Sequence, residues 1–248
     1  MIGDPRLEIE YLTGGDRSSR HPPDITQPGD GGKFDLDGAV LEFPGNTFIC
    51  HVDRSSVAYS ALFRLSAAIQ NEPTGKNFTF LPPSSFHMTV FPAICGDPLG
   101  HDGWPEGLAR RTSLTTLNGL FQERLAAMTA FQTCSMKPIG TLAGTSVILE
   151  GSTANDTAKL REARHKLQDL TGLFRPDFET YKFHISLCYR TKWMSVTTAK
   201  QHLARTRSFF EDFQQEVCEI SLGPIEFCTF SDMHHFESVD IIRSAEET

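Results

Sequence analysis

The chain has 248 residues, with 31 acidic against 23 basic side chains for a formal net charge of −8, and 39% of its residues are hydrophobic. That length can bury a core without disulfide or metal staples, and the composition is that of a folded chain rather than a disordered one. The acidic balance argues against a broad, sequence-indifferent nucleic-acid surface, since affinity for phosphate backbones comes largely from Lys and Arg, but it leaves room for a small local phosphate site.

Residues 13–32 are dense in Gly, Pro, Asp and Ser without an apolar period, which reads as a loop or mobile arm. Residues 33–43, KFDLDGAVLEF, carry Asp37-Gly38 between two short apolar stretches, a hairpin signal. Asp35, Asp37 and Gly38 stand out of register for a calcium loop, which needs alternating ligands and a Glu at the twelfth place. TFICHV from Thr47 reads as a buried strand, and Ser55 or Ser56 can cap a helix running to about Gln70. Phe78 to Leu81 and Phe86 to Phe91 then suit two strands around the turn Pro82-Pro83-Ser84-Ser85. A second helix is expected over about Thr112 to Thr129.

The same order recurs. Residues 134–150 give two strands about Ala143-Gly144, GSTANDT caps a helix through about Leu170, and Tyr181 to Tyr189 reads as another strand. A helix over Thr197 to Phe213 and strands over Glu216 to Leu222 and Ile225 to Phe230 follow. The expected fold is α+β and bilobal, with two pseudo-symmetric β-α-β-β lobes, over roughly 45–133 and 134–230, whose mainly antiparallel sheets face a central cleft. Residues 1–44 are read as an N-terminal arm and hairpin and 231–248 as a C-terminal tail.

The six cysteines (Cys50, Cys95, Cys134, Cys188, Cys218 and Cys228) form no C-x-x-C pair or tight cluster, which favours reduced thiols over a zinc knuckle or redox dithiol. The N-terminus shows no secretory pattern and no run approaches the roughly 18 apolar residues of a membrane span. The expectation is a soluble cytoplasmic monomer without a membrane partner, in which the sequons at Asn77 and Asn155 carry no meaning.

Two segments at matching places in the halves carry the chemistry: SSFHMTVFP, with His87 and Thr89, and YKFHISLCY, with His184 and Ser186. Strand alternation puts His87 and Thr89 on one face and Phe86, Met88 and Val90 on the other, and the second segment repeats the pattern. One such tripeptide is more often structural than catalytic; two at equivalent places reverse that preference. Paired imidazoles suit phosphodiester chemistry without a metal, since a neutral one can take a proton from the attacking oxygen while a protonated one gives a proton to the leaving oxygen. The Thr and Ser hydroxyls would donate to non-bridging phosphate oxygens.

On F-H-M-T-V and F-H-I-S-L together with the repeated halves, the sequence resembles the two-histidine (2H) phosphoesterase superfamily over roughly residues 45–230. The resemblance implies a two-lobed phosphoesterase-like domain with its site in the central cleft, hydrolysis of a 2′,3′-cyclic nucleotide or a terminal cyclic phosphate of RNA, and no cofactor or metal. It gives the catalytic roles to His87, Thr89, His184 and Ser186. The implied partner is a small nucleotide or an RNA 3′ end rather than DNA. RNA end joining by the same site, a silent nucleotide-binding module and a metallohydrolase are the competing readings.

Continuing the alternation puts Lys182 and Arg190 on the face of His184 and Phe91 on that of His87, so Lys182 or Arg190 could neutralise phosphate and Phe91 could stack on a base. His234 and His235, being neighbours, point apart on a strand and read as surface residues, while Trp193 and Tyr11 read first as core aromatics and only second as walls of the site.

Overall fold

Hydroxyl side chains set the helix starts. In the computed structural model, which describes residues 4–15, 19–101, 103–126 and 134–242, Ser56 caps α2 (Val57–Gln70), Ser113 caps α3 (Leu114–Leu125) and Ser195 caps α5 (Val196–Glu216), each accepting a backbone N–H three residues on at 3.1 Å. Thr153 and Asp156 form a capping box at the head of α4 (Ala154–Thr171), which Gly172 closes in the left-handed conformation. The N-terminal α1 (Pro5–Thr13) starts from Asp4 with Pro5 in its first turn. No described helix is long and apolar enough to cross a membrane.

The strands are β1 (Gly45–His51), β2 (Phe78–Phe80), β3 (His87–Cys95), β4 (Ser135–Leu142), β5 (Ser146–Gly151), β6 (Phe183–Ser186), β7 (Cys188–Arg190), β8 (Ile220–Ser221), β9 (Ile225–Asp232) and β10 (His235–Ile242). Eight of them make one curled antiparallel sheet in the order β10-β9-β1-β3-β6-β5-β4-β8, and β2 pairs with β7 apart from it. The fold is thus α+β, but its two expected halves share a single sheet, joined where β3 meets β6. Phe48, Met88, Val90, Val147 and Ile185 face α2 to α5 in the main core. The opposite face carries a smaller cluster in which Ile25, Phe34 and Phe43 of the N-terminal segment cover Ile49, Leu81, Cys228 and Phe236.

Several expectations are corrected. β2 and β3 do not pair as a hairpin: the 3₁₀ turn Pro83–Ser85 separates them, and β2 goes to β7 while β3 goes to β1 and β6. The hairpin expected at 33–43 reduces to one bridge, Phe34 with Val40, around a turn in which the Asp35 carboxylate accepts the N–H groups of Asp37 and Ala39 at 2.9 and 2.8 Å. The expected arm is pinned down, because α1 packs on α5 with Leu12 buried and with Glu8 ion-paired to Arg207 at 2.7 Å. The expected C-terminal tail contains β10, whose Phe236 and Ile242 are buried and which completes the sheet edge beyond β9. The helix end expected at Thr129, the half boundary at 133 and residues 243–248 of the tail lie outside the described residues.

The junction of β3 and β6 is narrow. One residue pair, Met88 with Ile185, is in register between them. Beyond it, side chains satisfy the carbonyls of β3: Tyr181 Oη donates to Thr89 O at 3.4 Å, Arg164 Nη1 to Val90 O at 2.6 Å, and Arg175 to the carbonyls of Pro92 and Ala93. Arg164 is fully buried, its guanidinium 4.2 Å from the centre of the Tyr181 ring and 4.8 Å from that of Phe178. Burial lowers its pKa below the ordinary arginine value.

Candidate active site

A cavity of about 170 Å³ lies on the sheet face opposite the helices, and His87, Thr89, His184 and Ser186 all line it. Alternation along β3 and β6 delivers them: Met88 and Ile185 are completely buried on the helix side, so the flanking residues project to the other face. The two imidazoles are held alike. His87 Nδ1 donates to the carbonyl of Ser85 at 2.7 Å and His184 Nδ1 to that of Lys182 at 2.8 Å. Each clamp fixes a tautomer with Nε2 free to accept a proton.

Their surroundings differ. The His87 ring packs 4.3 Å from that of Phe236 and edge-on to His51 at 6.3 Å. Burial, reinforced by His51 and His184, pushes the His87 pKa down to about 4, against a smaller upward pull from the Ser85 carbonyl. His184 lies 6.0 Å from the Tyr181 ring, and its pKa is lowered by burial and then by Lys33, with the Lys182 carbonyl opposing. His51 in turn holds Glu226 at 2.9 Å. Burial works against the Glu226 carboxylate, but the His51 hydrogen bond keeps its pKa below the ordinary value.

The remaining expected residues lie elsewhere, for one reason. Strand alternation slips just past each hydroxyl. On β3 a bulge makes Phe48 partner Phe91 and Ile49 partner Thr89, so Phe91 turns into the core, fully buried beside Phe48 and Phe178, and Pro92 reaches the cavity instead. After Ser186 the amides of Leu187 and Cys188 both donate to Thr145 O, at 2.8 and 3.2 Å, and the chain leaves the main sheet for β7. Arg190 is therefore buried away from the cavity, donating to Tyr11 O and sandwiched 3.4 Å from the Tyr11 ring and 5.1 Å from that of Trp193. Tyr11 and Trp193 thus wall in Arg190 rather than the site. The Lys182 side chain is exposed and does not line the cavity; its carbonyl is the part that serves the site. His235 is exposed and His234 packs 6.0 Å from the Phe34 ring.

Sequence reasoning missed the other half of the lining. The slip that removes Arg190 brings in Tyr189, and Phe230, Met233 and Phe236 come from β9, β10 and their turn. Lys33 and Phe43 come from the N-terminal segment. Lys33 Nζ lies 2.8 Å from Asp24 Oδ1 and 4.9 Å from the centre of the Tyr189 ring. Burial works against this ammonium, but Tyr189 and Asp24 outweigh it and hold the pKa above the ordinary lysine value. Local pattern gives no sign of Lys33, because it lies 54 positions before His87.

His51, Glu226 and Cys228 each bring one ligand-type atom within 4.8 Å of the others. Glu226 is engaged by His51, and burial raises the Cys228 thiol pKa, which disfavours the thiolate a metal would need.

Two clamped imidazoles and two hydroxyls thus meet in one cavity of a curled antiparallel sheet. Residues 33–147 match the family model 2H-phosphodiest, described as a domain of unknown function (DUF1868), so this part of the chain is similar to the 2H phosphoesterases. The match spans His87 and Thr89 and stops before His184. No curated protein matches the chain. Among solved structures, the conserved protein of unknown function ATU0111 from Agrobacterium tumefaciens str. C58 is similar at 25% identity and a TM-score of 0.87, covering 95% of this chain and 98% of its own.

Proposed function

We propose that the protein hydrolyses a cyclic phosphodiester without a metal, using His87 as general base and His184 as general acid. The observation that carries this reading is the pair of backbone clamps, which leave Nε2 of both imidazoles available in one cavity beside a hydroxyl each. His87, whose pKa burial pushes down to about 4, is neutral at neutral pH and can take the proton of an attacking water. His184 hands a proton to the departing ester oxygen, and the incoming phosphate anion favours its charged form. Thr89 and Ser186 donate to the non-bridging oxygens and hold phosphorus in line.

The substrate on this reading is a 2′,3′-cyclic nucleotide or the cyclic end of an RNA 3′ terminus. The Phe43, Phe230 and Phe236 rings are the candidates to receive its apolar part, in place of Phe91. The strand order supports reading the halves as a repeat, since β1-α2-β3 and β5-α4-β6 each end on a histidine strand next to the junction. Six free cysteines fit work by a monomer in the reducing cytoplasm.

Turnover of a panel of 2′,3′-cyclic nucleotides and cyclic-ended oligoribonucleotides, with and without excess chelator, tests the proposal. Expected is a single phosphomonoester product whose rate chelation leaves unchanged. Activity lost on chelation and restored by one divalent ion would transfer the chemistry to a metal centre, for which His51, Glu226 and Cys228 are the first ligands to replace.

A further inference from the structure

The proposed reaction leaves a charge unaccounted for. A cyclic phosphodiester is a monoanion and its hydrolysis product approaches a dianion, yet much of the lining is apolar and both imidazoles are held toward the neutral form. An anion brought into such surroundings is stable only against a fixed positive charge. Among the described residues that line the cavity, Lys33 is the one lysine and there is no arginine.

Lys33 is also built into place. Its N–H donates to Asp24 O and its carbonyl accepts from Leu41 N, both at 2.9 Å, and the adjacent Phe34 is fully buried. The side chain runs between the Tyr189 and Phe43 rings, with Nζ 4.9 and 5.6 Å from their centres. Lys33, Phe43 and Cys95 line both the cavity that holds the histidines and an adjoining one of about 240 Å³ that reaches Asp24 and His101. The ammonium therefore stands where the two spaces meet. Asp24 engages one of its three N–H groups and the Tyr189 hydroxyl a second, leaving the third for a ligand.

We propose that Lys33, supplied by the N-terminal segment, is the phosphate-binding cation of this site, contacting a non-bridging oxygen of the substrate and holding the phosphomonoester product. The assignment rests on the phosphoesterase reading for its substrate and on the geometry above for its residue. It gives the N-terminal segment a part in the chemistry and takes the phosphate-neutralising role from Lys182 and Arg190. The rival account is an ion pair that merely fastens the segment to the sheet; that role would appear in the melting temperature and not in affinity for an anion.

The experiment titrates inorganic phosphate into the full chain by calorimetry and as an inhibitor of turnover, for wild type, Lys33→Met and Lys33→Arg. Expected is a loss of phosphate affinity of about tenfold or more in Lys33→Met, the size of one charge-assisted hydrogen bond, with most of it regained in Lys33→Arg. The KM for a cyclic substrate should rise in parallel and kcat should change less. The double variant Asp24→Asn/Lys33→Met removes both charges together; it carries the same expectation if the single variant melts early. Wild-type phosphate affinity in either folded Met variant would overturn the assignment while leaving the phosphoesterase reading intact. Phosphate binding that depends on Lys33 in a protein that turns over no cyclic diester would overturn that reading and keep the assignment. Absence of both binding and turnover in the wild type would overturn both.

Discussion

The two histidine half-sites have the same backbone and different company. Each imidazole sits on a strand two residues after the carbonyl that accepts its Nδ1 proton, with a hydroxyl two residues further on. Around His87 the neighbours are the Phe236 ring and the His51–Glu226 pair; around His184 they are the Tyr181 ring and the charge of Lys33. The comparison teaches that the clamp sets which nitrogen is available, whereas burial, adjusted by neighbouring charges, sets when it carries a proton. On the proposed reading this is how two equal strands would serve as an unequal acid and base.

The largest effect should come from removing either imidazole. His87→Ala and His184→Ala should each lower kcat by roughly 10²- to 10⁴-fold with little change in KM, and the double variant should lose far less than the product of the two. Steady-state kinetics on the best cyclic nucleotide measures this, and near-native turnover in one single variant would mean that the half-sites do not work as a pair.

A smaller effect is expected along the pH axis. With both imidazole pKa values below the ordinary value of about 6.5, kcat/KM for the free enzyme should be bell-shaped with its maximum on the acid side of neutrality, falling tenfold per pH unit at its edges. The limbs belong to the coupled pair rather than to single residues. The bell for kcat should lie at higher pH, because bound phosphate favours the protonated acid. Stability follows the same groups: between about pH 6.5 and about 4 the unfolded chain binds a proton that folded His87 refuses, so the melting temperature should drop as pH falls through that window. A melting temperature that His87→Gln renders less pH-sensitive there would tie the drop to this residue; an unaltered slope would separate them.

The smallest expected effect isolates the company of one half-site. His51→Gln removes a neighbour that disfavours the charged form of His87 and leaves Glu226, which favours it. The acid limb of kcat/KM should therefore move up by a fraction of a pH unit while the alkaline limb stays where it is. Equal movement of both limbs would show that His51 acts on the pair as a whole.

The sequence was legible wherever the signal was local. The Ser56 cap, the capping stretch GSTANDT and the Ala143-Gly144 turn are written in a few adjacent residues, and so is the period that places His87 with Thr89 and His184 with Ser186. It misled where a period was carried one step too far. Phe91 and Arg190 were reached by counting twos across a bulge and a strand exit, neither of which has a marker in the sequence, and Tyr189 was passed over by the same count. Lys33 and Phe236 were hidden for a different reason: Lys33 comes with a segment packed on the sheet and Phe236 with the pairing of β10 to β9, and single-segment patterns encode neither. The Asp37-Gly38 signal was real as a turn, but the surrounding segment belongs to the packed face rather than to a free hairpin.

The narrow junction between β3 and β6 makes the spread of the two strands past it a matter of spacers. A full ladder would hold the two strands at the fixed separation of paired backbones. Here a single backbone pair is the pivot, and past it the gap is filled by a guanidinium and a phenol reaching from α4 and from Tyr181, with Arg175 further along. The separation of the two histidines is thus set at the pivot that adjoins them both, and the spread of the strands beyond it is a side-chain dimension. Lengthening or shortening the spacers is expected to change the spread of β3 and β6 past the pivot, from the Thr89 end of the cavity onward, while the histidines keep their register.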